Sequence, residues 1–145
     1  HPTPAHLLRS VCDEAASFND AVQRLSDEAI STPAIYSIAG TRAEDTAVIE
    51  RSETEARVHR GAQVAANHWQ AHGWTGHARG GDSAGRACMM ASIAAELDTN
   101  FAWLRDPVLN PRTRLAMVAD ARSGQLTAQG FEHEKPATAL LRLDV

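Results

Sequence analysis

From Ala34 to Asn67 the chain is written in strand-length pieces, and this stretch most constrains what it can become. Ala34–Ala39, Thr46–Arg51, Ala56–Arg60 and Gln63–Asn67 are short runs divided by polar turns at Thr41–Asp45 and Ser52–Glu55. Strands about ten residues apart with turn signals between them predict an antiparallel meander. In the first, Ile35, Ser37 and Ala39 alternate with Tyr36 and Ile38, which predicts a strand covered on both faces. The acidic residues Glu44-Asp45 and the Glu50–Glu55 cluster read as solvated turn faces.

The flanks are helical. Pro4 suits a first helical turn, and Leu7, Leu8, Val11, Cys12 and Ala15 recur at helical spacing. Ser17 reads as an N-cap with Asp20 three residues on, in the manner of a capping box, before Phe18, Ala21, Val22 and Leu25. Downstream, Ser83 predicts a cap for a helix reaching Leu97, with Cys88, Met89, Ile93 and Leu97 inward. Thr99–Leu104 predicts a further turn or two of helix, closed by Asp106-Pro107. Leu115–Ala119 and Gln125–Gln129 flank the turn Ala121-Arg122-Ser123-Gly124, and Thr138–Leu143 is the expected last strand. Helices, then strands, a helix and strands again indicate an α+β fold, a largely antiparallel sheet with helices packed on it. No linker marks a second domain, so residues 1–145 read as a single segment.

The 145 residues are 43% hydrophobic, enough for one real core. A net charge of −4 lacks the basic excess of a nucleic-acid binder. No run approaches the roughly 20 apolar residues of a membrane span. The chain opens on His1-Pro2-Thr3-Pro4 without methionine, which reads as a processed product or a fragment and leaves the compartment unassigned. Cys12 and Cys88 fall in helical patterns and are expected as buried free thiols, with a disulfide between them as the alternative.

The chemistry concentrates in Ala62–Arg86. Val64-Ala65-Ala66 delivers Asn67, His68 and Trp69 to a loop containing Gly73, Gly76, Gly80 and Gly81. Asp82-Ser83 then opens a helix carrying Arg86 in its first turn. An amide at a strand end, a pliable loop and a guanidinium at a helix start make a candidate site. Plainer readings stand beside it: Asn67 bonding its own backbone, Arg86 covering apolar surface, Trp69 and Trp74 packing a core rather than lining a pocket. His68, His72 and His77 fit no metal-ligand spacing, and no metal or organic cofactor is expected. Gly-Asp-Ser-Ala-Gly is not a nucleophile elbow, so Ser83 is expected as a cap.

The order of a strand ending in Asn67-His68, a glycine-containing loop, and Asp82-Ser83-x-x-Arg86 at a helix start resembles the C-terminal half of the N-terminal-nucleophile amide hydrolases. That group includes choloylglycine hydrolases, penicillin V acylases, isopenicillin N acyltransferases and acid-ceramidase-like amidases. PAHLLRSVCDEAASFNDAVQRL is similar to the family's paired helices, AIYSIAG with TAVIER to its next strands, and LAMVADARSGQLTAQG to its late hairpin. The resemblance spans Pro4 to Gly130. It implies a partial αββα sandwich and a bacterial-type, self-processed hydrolase or acyltransferase that cleaves or exchanges a linear amide through an acyl-thioester.

By that resemblance Asn67 is the oxyanion-hole donor and Arg86 supports a thiolate nucleophile. Asp82 and Ser83 orient the helix start, while His68 and Trp69 contribute to binding. The nucleophilic cysteine is missing, since the chain starts at His1 and neither Cys12 nor Cys88 is suitably placed. The expected partners are therefore an N-terminal part or companion chain bearing that cysteine and an acyl-amide small molecule, with a homo-oligomer left open. Alone, the chain is expected to be inactive. The alternative is a non-catalytic α+β binding or packing domain of a larger protein.

Overall fold

A computed structural model describes residues 1–76, 80–94 and 97–144. It is α+β, with antiparallel sheets and few helices, and divides into two compact units, His1–Ala78 and Arg79–Val145.

The first unit opens with α1 (Pro4–Glu14) and α2 (Phe18–Asp27). The Thr3 side chain caps α1 by accepting from the His6 amide, and Pro4 occupies the first turn. Ser17 caps α2 by accepting from the Asp20 amide. The Asp20 carboxylate reaches back to the Ala16 amide, one residue short of the usual capping-box donor. Strands β1 (Ala34–Ala39), β2 (Thr46–Arg51) and β3 (Ala56–Arg60) form an antiparallel sheet in chain order.

Register assigns the sheet's faces. Tyr36 pairs with Ile49 and Ile38 with Ala47, and these four join Leu7, Val11, Val22, Leu25 and Ile30 in a core beneath the helices. Arg51 lies on that face too, 2% exposed, and donates to the Leu25 and Glu28 carbonyls. It thereby satisfies acceptors that the end of α2 leaves open. The Tyr36 hydroxyl donates to the Pro4 carbonyl, and burial pushes its pKa up.

The expected coverage of β1 on both faces fails. Tyr36 is buried, but Ser37 and Ala39 are exposed, because β1 is an edge strand. The fourth expected strand, Gln63–Asn67, does not form. Gly61, at φ +83°, turns the chain out of β3 while its amide donates to the Thr46 carbonyl. An L side chain rarely adopts that conformation, so the ladder ends there.

The second unit holds α3 (Ser83–Ile93), β4 (Leu115–Asp120), β5 (Gln125–Glu132), the two-residue β6 (Lys135–Pro136) and β7 (Leu141–Asp144). β5 is central, with β4 on one side and β6 and β7 on the other, all antiparallel. Ile93, Phe101, Trp103, Leu104, Ala116 and Phe131 form its core. The helix expected at Thr99–Leu104 is replaced by turns. Asp98 and Asn100 accept from the Asn100 and Ala102 amides, Phe101 has φ +61°, and the Trp103 indole donates to the Asp98 carbonyl. Short polar side chains bonding nearby amides compete directly with helix. The last strand starts at Leu141 rather than Thr138, whose hydroxyl instead accepts from the Gly130 amide.

The core of this unit covers only one face of its sheet. Leu115, Met117 and Ala119 lie opposite Gly130, Ala128 and Leu126, and Leu141 and Leu143 continue that second face on β7. Leu115 is 56% exposed, Met117 56%, Leu141 51% and Leu143 44%.

Candidate functional site

In the first unit, Asn67, His68 and Trp69 lie on a loop, residues 61–76, hung from the sheet face opposite the helices. Its anchor is Glu50, which is 1% exposed. Glu50 shares its face with Val48, and the carboxylate accepts from the Gln70 amide through Oε1 and from the Ala71 amide at 2.7 Å through Oε2. The His59 ring nitrogen Nε2 lies 2.9 Å from the same Oε2. A buried carboxylate is costly unless its lone pairs are occupied, and here three groups occupy them. Ala71 is buried as a result.

Asn67 and His68 sit three and two residues before the first anchored amide. Asn67 is exposed, and His68 and Trp69 are half-buried. The Gln70 carboxamide donates back to the Val64 carbonyl and closes the loop on itself. Trp69 meets Trp74 edge to face, with ring centres 5.1 Å apart and planes at 88°. The Arg57 guanidinium lies 5.6 Å from the Trp74 ring centre. Such an aromatic pair with a cation over one ring adds order beyond simple burial. A side chain at Gly76 would press within 3.2 Å of the Trp69 indole nitrogen.

Glu50 is the loop's anchoring residue, and sequence reasoning missed it. The expectation of a solvated turn face is wrong for it. Ala47, Val48 and Ile49 are consecutive apolar residues, the pattern of a strand buried on both faces, and Glu50 continues that strand.

The other expected site residues, Asp82, Ser83 and Arg86, belong to the second unit. Asp82, not Ser83, caps α3. It stands at φ 43° and ψ 54°, and its carboxylate accepts from the Gly85 amide at 3.0 Å. Gly85 permits that approach, because an added Cβ would lie 2.1 Å from an Asp82 oxygen. Ser83 is buried. Arg86 occupies the first turn, its amide bonded to the Asp82 carbonyl and its Nε donating to the Gly81 carbonyl. The helix is described to Ile93, and Leu97, expected inward, is 41% exposed.

Asn67, His68 and Trp69 thus belong to one unit, and Asp82, Ser83 and Arg86 to the other. Both cysteines are free and exposed, contrary to the burial expected of them, and Cys12 borders the cavity described below. His77 falls outside the described residues. Among the described residues, no three His, Cys, Asp or Glu side chains converge as a metal site would require.

The helix side of the first unit carries a cavity of about 680 Å³. Leu8, Val11, Cys12 and Phe18 form one wall and Ser37 to Thr41 the other. Asn67's loop lies across the opposite face of the sheet. No protein-family model matches the chain, and no match is found among curated proteins. No helix among the described residues is long and apolar enough to cross a membrane.

Proposed function

We propose that this chain is the C-terminal part of a cysteine N-terminal-nucleophile hydrolase or acyltransferase acting on a linear amide, its nucleophile supplied from outside the chain. The observation that carries this reading is the anchored loop. An exposed asparagine three and four residues before two amides clamped by a buried carboxylate has a fixed support close by. A transition-state donor needs that rigidity, because its worth depends on being oriented before charge develops. In this reading the Asn67 amide holds the oxyanion, and Arg86 at the α3 start favours the thiolate of an incoming cysteine. His68 and Trp69 flank the acyl group, and Asp82 and Ser83 fix the helix start.

The bare apolar face of the second sheet supports the same reading. A sheet in an αββα sandwich buries that face on another sheet, and here Leu115, Met117, Leu141 and Leu143 stand ready for one.

The test is Asn67→Ala in the complete, cysteine-bearing protein. Turnover of an acyl-amide substrate should fall by about 10²–10³-fold with the thermal transition unchanged. Near-normal turnover would remove Asn67 from the mechanism.

One observation favours a second reading, a non-catalytic α+β binding domain. The cavity beside β1 lies on the helix side of the sheet, across from Asn67. A ligand held there in the isolated chain, with no dependence on Asn67, would select it.

A further inference from the structure

The outer edge of β1 is unusual for a strand at the rim of a sheet. The Gly40 amide donates to the Asp45 carbonyl, which makes Gly40 an inward-bonding position. Antiparallel alternation then turns the backbone groups of Ala34, Tyr36 and Ile38 toward β2, and those of Ile35, Ser37 and Ala39 outward. Ser37 and Ala39 are exposed.

Exposed edges invite pairing, and proteins blunt them with charge, proline or bulges. The opposite rim, β3, carries Arg57 and Arg60. β1 reads Ala-Ile-Tyr-Ser-Ile-Ala, with no charge and no proline, and pairs with β2 without a bulge. Alongside it runs the apolar cavity of about 680 Å³, to which β1 contributes Ser37, Ile38 and Ala39.

From this geometry we infer that β1 pairs antiparallel with β1 of a second copy of this chain, about a dyad at Ser37. The strand is self-complementary in that arrangement. Ser37 faces Ser37, Ile35 faces Ala39, and each outward residue exchanges two hydrogen bonds with its mate. No like charges meet across the dyad. The axis stands perpendicular to the sheet, so both helix pairs fall on one face of the joined sheet. Ile38 of one copy then lies opposite Tyr36 of the other on the helix side of the joined sheet. This inference is independent of the amidase reading, because it uses only the rim and helix side of the first unit.

The test is sedimentation equilibrium on the full chain with two variants, joined to hydrogen exchange. The chain should behave as twice its 15.6 kDa mass. Ser37→Pro removes an outward N–H without touching the β1–β2 ladder and should weaken association about tenfold or more. Met117→Glu, on the other unit's bare sheet face, should leave the dimer intact. Should Ser37→Pro fail to fold, exchange on the natural chain decides. The amides of Ile35, Ser37 and Ala39 should gain protection with concentration, while those of Tyr36 and Ile38 stay protected throughout. A monomer at all concentrations would overturn the inference. So would a dimer broken by Met117→Glu alone, concentration-independent edge exchange, or a companion polypeptide found protecting those amides.

Discussion

The two units solve the same problem to different extents. In the first, helices cover one face of a three-stranded sheet and the loop at residues 61–76 covers the other, so even Glu50 and Arg51 are taken out of water. In the second, α3 and the turns after it cover one face, and the other shows four large apolar side chains. A patch of that kind marks a surface built to be covered. The first sheet is therefore covered on both faces at its central strand, β2, and open along β1. The second is complete along its central strand and open across a face.

The sharpest way to break this comparison is to remove the buried polar residues that complete the first unit. Arg51→Ala should cost about 3 kcal/mol of unfolding free energy, since it strips two α2 carbonyls of their donor and leaves a hole. Urea denaturation measures it. Glu50→Gln should cost about 1–3 kcal/mol, because one carboxamide oxygen cannot serve both loop amides and His59. Its more specific effect is faster proteolytic cleavage within residues 61–76. A loop that stays protected in this variant would separate Glu50 from the presentation of Asn67.

Smaller effects sharpen the contrast. Ser17→Ala should lose about 1 kcal/mol by leaving the Asp20 amide unsatisfied at the start of α2. In the second unit, Met117→Lys with Leu141→Lys should change stability by no more than about 0.5 kcal/mol while sharply reducing binding of a hydrophobic dye. A large loss of stability would mean the face is already buried.

The smallest effect concerns pH. Asp120 accepts from the Arg122 amide and, less strongly, from the Ser123 hydroxyl and amide, which hold its carboxyl below the usual value of 3.8. A lowered folded pKa favours folding above the unfolded value, and that contribution fades as pH falls through the folded one. Melting from about pH 5 to about pH 2 should therefore show a slightly shallower acid slope for Asp120→Asn.

Much of this was legible in the sequence, and the failures have physical causes. The α1–α2 pair, the Ser17 cap, the three strands of the first meander and the hairpin at Asp120–Gly124 follow from periodicity and turn chemistry. The missing fourth strand turned on the backbone of Gly61, which composition cannot reveal. The lost helix at Thr99–Leu104 went to Asp98 and Asn100, whose side chains bond nearby amides more readily than they join a helix. Cys12 and Cys88 were misplaced because helical spacing gives a stripe and not its rotation. The loop after β3 was readable from its glycines, and its support was not. The clamp joins Glu50 to Gln70 and Ala71 across some twenty residues, beyond the reach of any local pattern.

On the function proposed above, this chain is one part of an enzyme whose cysteine lies elsewhere. The most direct test is native and intact mass analysis of the protein purified from its own cells. The expected result is an N-terminal part or a companion polypeptide that begins with cysteine and is joined or bound to this chain. A species made only of this chain, with no companion and no turnover of acyl-amides, would contradict it.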